Sequence, residues 1–326
     1  MAQIIKHHLL NDLGNQGLPY DERLFIDKKV NTSAVERRCV TGVKRRSVKR
    51  ATQAAWLLKA ISCIDLTTLS GDDTPGRVKR LCAKAKSPIK ESIADSLRIS
   101  GLNLQVGAVC VYHDMIKEAK ASLHDSDIPV AAVSTGFPAG LTPFKLKVLE
   151  IHESVAAGAE EIDVVISRRH VLNGNWRTLY DEVKEYKSAC GKSHLKTILA
   201  TGELGTLRNV AKASWVCMMA GADFIKTSTG KENINATLPV TLVMLRAIRD
   251  YHELTGHRVG YKPAGGISTA KDALNYLILV KEELGKSWLT PKLFRFGASS
   301  LLSDIERQLE FYTTGQYSAF NRHGLS

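Results

Sequence analysis

No apolar run of ~18 residues occurs in the chain, so a membrane-spanning helix is not expected. The opening stretch Met1–Gly14 lacks the long apolar core and small-residue cleavage site of a secretory signal. Six cysteines (Cys39, Cys63, Cys82, Cys110, Cys190, Cys217) are scattered without CxxC spacing, the pattern of reduced, buried thiols in an intracellular protein. Ten histidines include neither HExxH nor an i, i+4 pair facing a third ligand, so no metal site is expected. GxSxG is missing, which removes the commonest serine-nucleophile signature. GxGxxG is missing after the first candidate strand, which weighs against a dinucleotide fold. Internal repeats and low-complexity segments are also lacking.

What is present is ordinary globular composition, 44% hydrophobic and 24% charged over 326 residues. That length suits two domains of ~150 residues or one barrel of ~250 with additions. The formal charge of +12 is uneven: residues 1–60 carry 12 Lys+Arg against 5 Asp+Glu. Lys44, Arg45, Arg46, Lys49 and Arg50 form the densest cluster. It reads as a solvated helix face leading into the main domain, with a nucleic-acid or nuclear-import patch as the alternative.

From residue 60 onward, short β-branched runs alternate with stretches of helical periodicity. The candidate strands are Ser62–Leu66, Gln105–Tyr112, Val130–Thr135, Glu161–Ile166, Leu195–Thr201, Ala222–Thr227, Val259–Pro263 and Leu293–Gly297. Several are apolar almost throughout, as strands buried on both faces must be. Between them, Trp176, Leu179, Val183, Tyr186 and Cys190 share one helical face, as do Ala270, Ala273, Leu274, Leu277 and Ile278. Thr142-Pro143 resembles an N-cap followed by proline at the first helical position, and Gly158 and Gly221 fall where helices should end. Eight β–α units predict an α/β fold, a single (β/α)8 TIM barrel over residues 56–310. Residues 1–55 are expected to be an added N-terminal helical segment packed on it, and 311–326 a tail.

In such a barrel, chemistry gathers at the carboxyl ends of the strands. Charged residues that interrupt or end apolar runs are therefore informative: Asp65, Asp163, Lys226 and Lys262. The two lysines occupy equivalent positions on adjacent strands, ~4.8 Å apart. Two ammonium groups in a partly dry pocket repel, so one should release its proton and become a nucleophile for a carbonyl. The competing reading pairs each lysine with a carboxylate as a barrel plug. Asp163 suits proton transfer or a core ion pair, and Asp65 suits a turn cap or a group that orients the lysines. Glycine-rich segments after strands six, seven and eight (Ser228-Thr229-Gly230, Gly265-Gly266, Gly297-Ala298-Ser299-Ser300) are candidate phosphate loops. His113 reads as a turn residue near the site.

The stretches IDLTTL (64–69), VCVY (109–112), EIDVV (161–165), TGEL (201–204), ADFIKTSTGK (222–231), VGYKPAGG (259–266) and FRFGASSLL (294–302) resemble the deoxyribose-phosphate aldolase family. The likeness runs in order from about residue 60 to 305, and the long basic N-terminus resembles the animal-type branch. It implies reversible cleavage of 2-deoxy-D-ribose 5-phosphate to D-glyceraldehyde 3-phosphate and acetaldehyde, without cofactor or metal. It further implies Lys226 as the Schiff-base amine, Lys262 as the lysine that tunes it and shares in proton transfer, and Asp163 as proton donor and acceptor. Substrate contacts are implied at Asp65, Cys110, Thr201, Lys231, Gly265, Gly266, Gly297, Ser299 and Ser300, although Cys110 also reads as a small core residue. Tyr312 and Tyr317 are candidates for a lid. The expected partner is a small phosphorylated sugar, with no membrane association and nucleic acid a lesser alternative for the basic segment. A homo-oligomer in the cytoplasm, with access to the nucleus, fits this reading. Another lysine-dependent barrel enzyme, a pyridoxal-phosphate protein or a binding scaffold are the rivals.

Overall fold

A computed structural model describes residues 14–323. Most of the Met1–Gly14 stretch, and the Lys44 side chain of the basic cluster, thus lie outside the described residues. Eight strands alternate with helices: β1 Ile64–Thr67, β2 Ala108–Val111, β3 Val130–Ser134, β4 Glu161–Val165, β5 His194–Ile198, β6 Phe224–Lys226, β7 Gly260–Lys262 and β8 Phe296–Ala298. The helices are α1 Thr32–Arg45, α2 Arg50–Ser62, α3 Pro75–Lys86, α4 Glu91–Ser96, α5 Ile116–Ser122, α6 Phe144–Ala156, α7 Arg168–Leu172, α8 Trp176–Cys190, α9 Leu207–Met219, α10 Leu238–Thr255, α11 Ala270–Leu284 and α12 Leu301–Thr314. No helix among the described residues is long and apolar enough to cross a membrane.

Every strand pairs in parallel with its sequence neighbour, and β1 also pairs with β8. The ring closes between β7 and β8, where Tyr261 N–H donates to Leu293 O (2.9 Å) and Gly297 N–H to Pro263 O (2.9 Å). The expected barrel is therefore observed. The last strand starts three residues later than the sequence suggests, because Leu293–Arg295 approach β7 before the regular ladder begins.

The helical patterning is reproduced on α8 and, for Ala270, Ala273, Leu274 and Leu277, on α11, where Ile278 is only half-buried. Trp176, Leu179, Val183, Tyr186 and Cys190 are all buried on α8. Gly158 and Gly221 sit one residue beyond the C-caps of α6 and α9 with φ +105° and +100°, where a side chain would be strained. Thr142-Pro143 needs correction by one residue. Pro143 is itself the N-cap of α6, and no side chain caps that end. Thr74, Thr206, Thr237 and Thr269 do cap α3, α9, α10 and α11, each accepting a backbone N–H.

The N-terminal residues pack on the outside of this ring. Asn15 donates to Met218 O and Ala222 O at the α9–β6 junction. Arg38 and Arg46 of the α1 region pair with Glu282 on α11 at 3.0 and 2.6 Å. Part of the basic cluster is thereby neutralised, whereas Arg45, Lys49 and Arg50 are exposed. At the other end, residues 311–314 complete α12 rather than forming a tail. Tyr312 lies in the last turn of α12 and Tyr317 just beyond it, where the chain folds back along the helix and Ser303 donates to His323 O at 2.7 Å. Tyr317 stacks on Phe311 with ring centroids 4.2 Å apart. Both tyrosines are exposed, and neither lines the cavity at the strands' carboxyl ends.

Candidate active site

Strand alternation inside a closed barrel sends every second side chain to the axis. On β4 this applies to Glu161 and Asp163, two residues apart. Sheet register sets Asp163 beside Lys196 of β5, and Lys226 beside Lys262. Gly297 of β8 lies beside Asp65 of β1, and its missing side chain matters: a Cβ there would come within 2.8 Å of the Ala264 Cβ and 3.3 Å of the Lys262 Cε. Gly260 makes room in the same way for the Phe224 ring, which would stand 2.3 Å from an added Cβ.

The result is a buried ionic cluster. Lys226 Nζ and Lys262 Nζ each donate to the same oxygen, Asp163 Oδ2, at 2.8 Å. Lys262 also binds Asp65 Oδ2, and Lys196 Nζ reaches Asp65 Oδ2 at 3.1 Å and pairs with Glu161. Arg295 closes the cluster from below, binding Asp65 Oδ1 at 2.6 Å and Glu161 Oε1 at 2.8 Å. All seven side chains are buried. Three carboxylates thus meet four cationic side chains, a formal excess of one positive charge.

That excess settles on Lys226. Burial, and then the charge of Lys262, pull its amine below the ordinary lysine range against the attraction of Asp163. Lys262 goes the opposite way: burial disfavours its charge, but Asp163 and Asp65 outweigh burial and hold it protonated. Asp163 resists burial in turn, because Lys226, Lys262 and Lys196 keep its carboxyl well below the carboxylate range. The sequence argument anticipated one depressed amine from mutual repulsion. The structure adds that burial is the larger cause.

Lys226 also lines a cavity of ≈ 520 Å³ that opens at the strands' carboxyl ends. Gly265, Gly266, Gly297, Ser299, Ser300 and Lys231 line it too, so those expected substrate residues are brought together. Gly265 and Gly266 both have positive φ (+79° and +78°), a backbone conformation that favours glycine. Thr67 at the end of β1, Thr68 and Ser70 from the loop after it and Arg77 on α3 join the wall; none of the four was selected from the sequence.

Three expected substrate residues stand elsewhere. Asp65 lies beneath the cavity, both oxygens engaged by Lys262, Lys196 and Arg295; the orienting reading of this residue fits, the turn-cap reading does not. Cys110 is fully buried in a small apolar cluster with Ala131 and Val133, and burial pushes its thiol up. Thr201 is buried in a turn after β5, its hydroxyl without a hydrogen-bond partner among the described residues. His113 begins a turn after β2 and bonds Ser154 on α6 at 3.0 Å, as a turn residue would. Lys196, Glu161 and Arg295 were not selected from the sequence. Arg295 carried a signal, a charge between two apolar neighbours in Phe294-Arg295-Phe296; Lys196, between Leu195 and Thr197, carried a weaker one, and Glu161, after Glu160, carried none.

Fold and site together define a (β/α)8 barrel with a buried, pKa-lowered lysine lining the cavity at its mouth. The family model described as DeoC/LacD family aldolase matches residues 59–305, and the chain belongs to that family. It is therefore an aldolase, a carbon–carbon lyase. It is 56% identical over 308 residues to a deoxyribose-phosphate aldolase of Bos taurus, covering 94% of this chain and 97% of that one. With the Mus musculus deoxyribose-phosphate aldolase it shares 60% over 297 residues, 90% of this chain and 93% of the relative. A solved tetrameric deoxyribose phosphate aldolase from Aeropyrum pernix superposes with a TM-score of 0.60 at 21% identity, covering 86% of this chain and 99% of that one. That last likeness concerns the fold alone.

Proposed function

We propose that the chain reversibly cleaves 2-deoxy-D-ribose 5-phosphate to D-glyceraldehyde 3-phosphate and acetaldehyde, with Lys226 as the Schiff-base amine. The observation that carries the mechanism is the single Asp163 oxygen shared by Lys226 and Lys262 at 2.8 Å each, beneath the cavity that Lys226 lines. The neutral Lys226 amine attacks the C1 aldehyde of the open-chain sugar, and loss of water gives an iminium. The C3 hydroxyl gives up its proton, the C2–C3 bond breaks, and its electron pair flows into the iminium as an enamine. Glyceraldehyde 3-phosphate leaves. A proton delivered to C2 from the Asp163–Lys262 pair, directly or through a water, restores the iminium, and hydrolysis frees acetaldehyde and Lys226. Lys262 suits this role because Asp163 and Asp65 hold its proton while burial loosens the proton on Lys226.

The phosphate falls to the backbone N–H groups around Gly265, Gly266, Gly297, Ser299 and Ser300, with Lys231 at the rim. In support, Ser300 makes no side-chain capping bond to α12, unlike the threonines before α3, α9, α10 and α11. First-turn N–H groups of α12 therefore lack a side-chain acceptor at that end of the cavity. The roles of Asp65 and Cys110 are indirect, setting charge and apolar wall. Thr201, with an unbonded hydroxyl, remains in the proposal as a sugar-hydroxyl contact.

A homo-oligomer working in the cytoplasm belongs to the same proposal, supported by the exposed apolar segment Leu141, Phe144, Leu146 and Leu149. Within the N-terminal segment, residues 14–55 serve as a packed extension of the barrel. A nucleic-acid role for the basic segment gains no support, since Arg38 and Arg46 are engaged by Glu282. Steady-state cleavage of the sugar phosphate, with unphosphorylated 2-deoxyribose as control, tests the substrate. Release of acetaldehyde from the phosphate ester, far slower from the free sugar and unaffected by EDTA, is expected. Equal rates on both sugars would remove the phosphate site from the account.

A further inference from the structure

The mechanism uses three of the seven buried charged groups and leaves Arg295, Lys196, Glu161 and Asp65 without a chemical task. None of the four lines the cavity, and Arg295 bridges two of the others. Its guanidinium spans Asp65 on β1 and Glu161 on β4, donating from Nη1 to Asp65 Oδ1 (2.6 Å) and from Nη2 to Glu161 Oε1 (2.8 Å). A third donor, Nε, is taken by Pro291 O. Such a fixed fork cannot swing toward a substrate, and it cannot lose its proton.

We propose that Arg295 is a positioning residue that sets the protonation of Lys226 from below by supplying a permanent counter-charge to Asp65 and Glu161. This rests on the reading of Lys226 as the nucleophile. The buried side chains carry unequal numbers of opposite charges, and burial weakens the screening between them. The titratable groups facing Lys226 are Asp65 from β1, Cys110 from β2, Glu161 and Asp163 from β4, Lys196 from β5, Lys262 from β7 and Arg295 before β8; β3 presents only Ala131 and Val133. The thiol is neutral, so three negative charges face Arg295, Lys196, Lys262 and Lys226. With Lys226 protonated the cluster carries one surplus charge; with Lys226 neutral it balances. Burial makes the balanced state the cheaper one.

Removing Arg295's charge reverses that count. Three carboxylates would then face three lysines, and Lys226 would be needed as a counter-ion. Its proton would be held more tightly, and the free amine would appear only at higher pH. Removing Glu161's charge acts in the opposite sense, raising the surplus to two. Removing both restores a surplus of one. Lys262 alone, as neighbour of Lys226, would give no such pattern.

The test is the pH dependence of covalent trapping of acetaldehyde by cyanoborohydride on the full-length protein, read by intact mass. In Arg295→Met the midpoint should move to higher pH by at least about one unit, so that trapping at a fixed acidic pH falls about 10-fold or more. Arg295→Lys should return the midpoint toward wild type. Glu161→Gln should move it to lower pH, and Arg295→Met combined with Glu161→Gln should bring it back. Should Arg295→Met fail to fold, the Glu161→Gln shift carries the test by its sign. Folded variants with unmoved midpoints, or an Arg295→Lys protein that behaves like Arg295→Met, would overturn the proposal. A wild-type protein that traps no acetaldehyde would instead overturn the nucleophile reading itself.

Discussion

Two buried ionic clusters in this barrel look alike by composition and differ in what they can do. The outer one lies between α6 and α8, where Glu182 accepts from Lys147 (3.3 Å), from the Ser167 hydroxyl (2.6 Å) and N–H (3.2 Å), and from Tyr186 OH (2.7 Å). One carboxylate meets one ammonium, and the carboxylate's oxygens are fully engaged. Burial and then the Glu182 charge drive the Tyr186 hydroxyl up, so it stays a donor. This cluster also borders a cleft of ≈ 540 Å³, yet it holds no group poised to react. The axial cluster has one cation too many, and that surplus lies on the residue lining its cavity. Burial of charge does not distinguish an active site from a structural clasp; imbalance next to an opening does.

That contrast can be broken from either side. Lys226→Met should lower turnover by about 10⁴-fold or more while leaving the melting temperature unreduced, because it removes the surplus cation. Steady-state kinetics and calorimetry on the same preparation check both halves, and a lowered Tm would mean that Lys226 is a structural plug. Glu182→Ala should show the converse. It strands Lys147 and is expected to cost about 3 kcal/mol or more in urea unfolding, with kcat/KM per folded molecule unchanged. A large kinetic defect there would erase the distinction between the clusters.

Lys262→Leu should slow turnover by at least ~10²-fold and move the acid limb of the rate profile to higher pH. The sign follows from Lys226 itself. Its amine is reactive only when neutral, so the rate falls as pH drops through its depressed pKa, and loss of a neighbouring cation raises that pKa. A rate close to wild type would remove Lys262 from the proton path. The smallest effect is expected at the far end of the cavity. Gly266→Ala meets no atom within 4 Å but must hold φ +78°, a strain of about 1–2 kcal/mol that should appear mainly as a KM raised roughly 3- to 10-fold for the phosphorylated sugar.

The axial cluster was half legible in the sequence, and the reason is geometric. Asp163, Lys226 and Lys262 interrupt runs such as EIDVV, DFIK and GYK, where a charge has no solvent to face. The eight strands were legible for the same reason, since strands covered by helices outside and side chains inside must be apolar on both faces. Arg295 was passed over because the expected strand Leu293–Gly297 already included it as an ordinary member. Its inward direction follows only from the closure of β8 against β1 and β7. Glu161 opens β4 and reads as an exposed strand end until Arg295 and Lys196 are seen on it. Which oxygen two lysines share is a matter of register between strands far apart in sequence, and no local pattern carries it.

Incubation with acetaldehyde, borohydride reduction and peptide mass spectrometry bears most directly on the assignment of the nucleophile. The account predicts a single reduced two-carbon adduct on the peptide containing Lys226, with Lys262 unmodified. An adduct on Lys262 alone would contradict it, since the amine clasped by both Asp65 and Asp163 should be the one that keeps its proton.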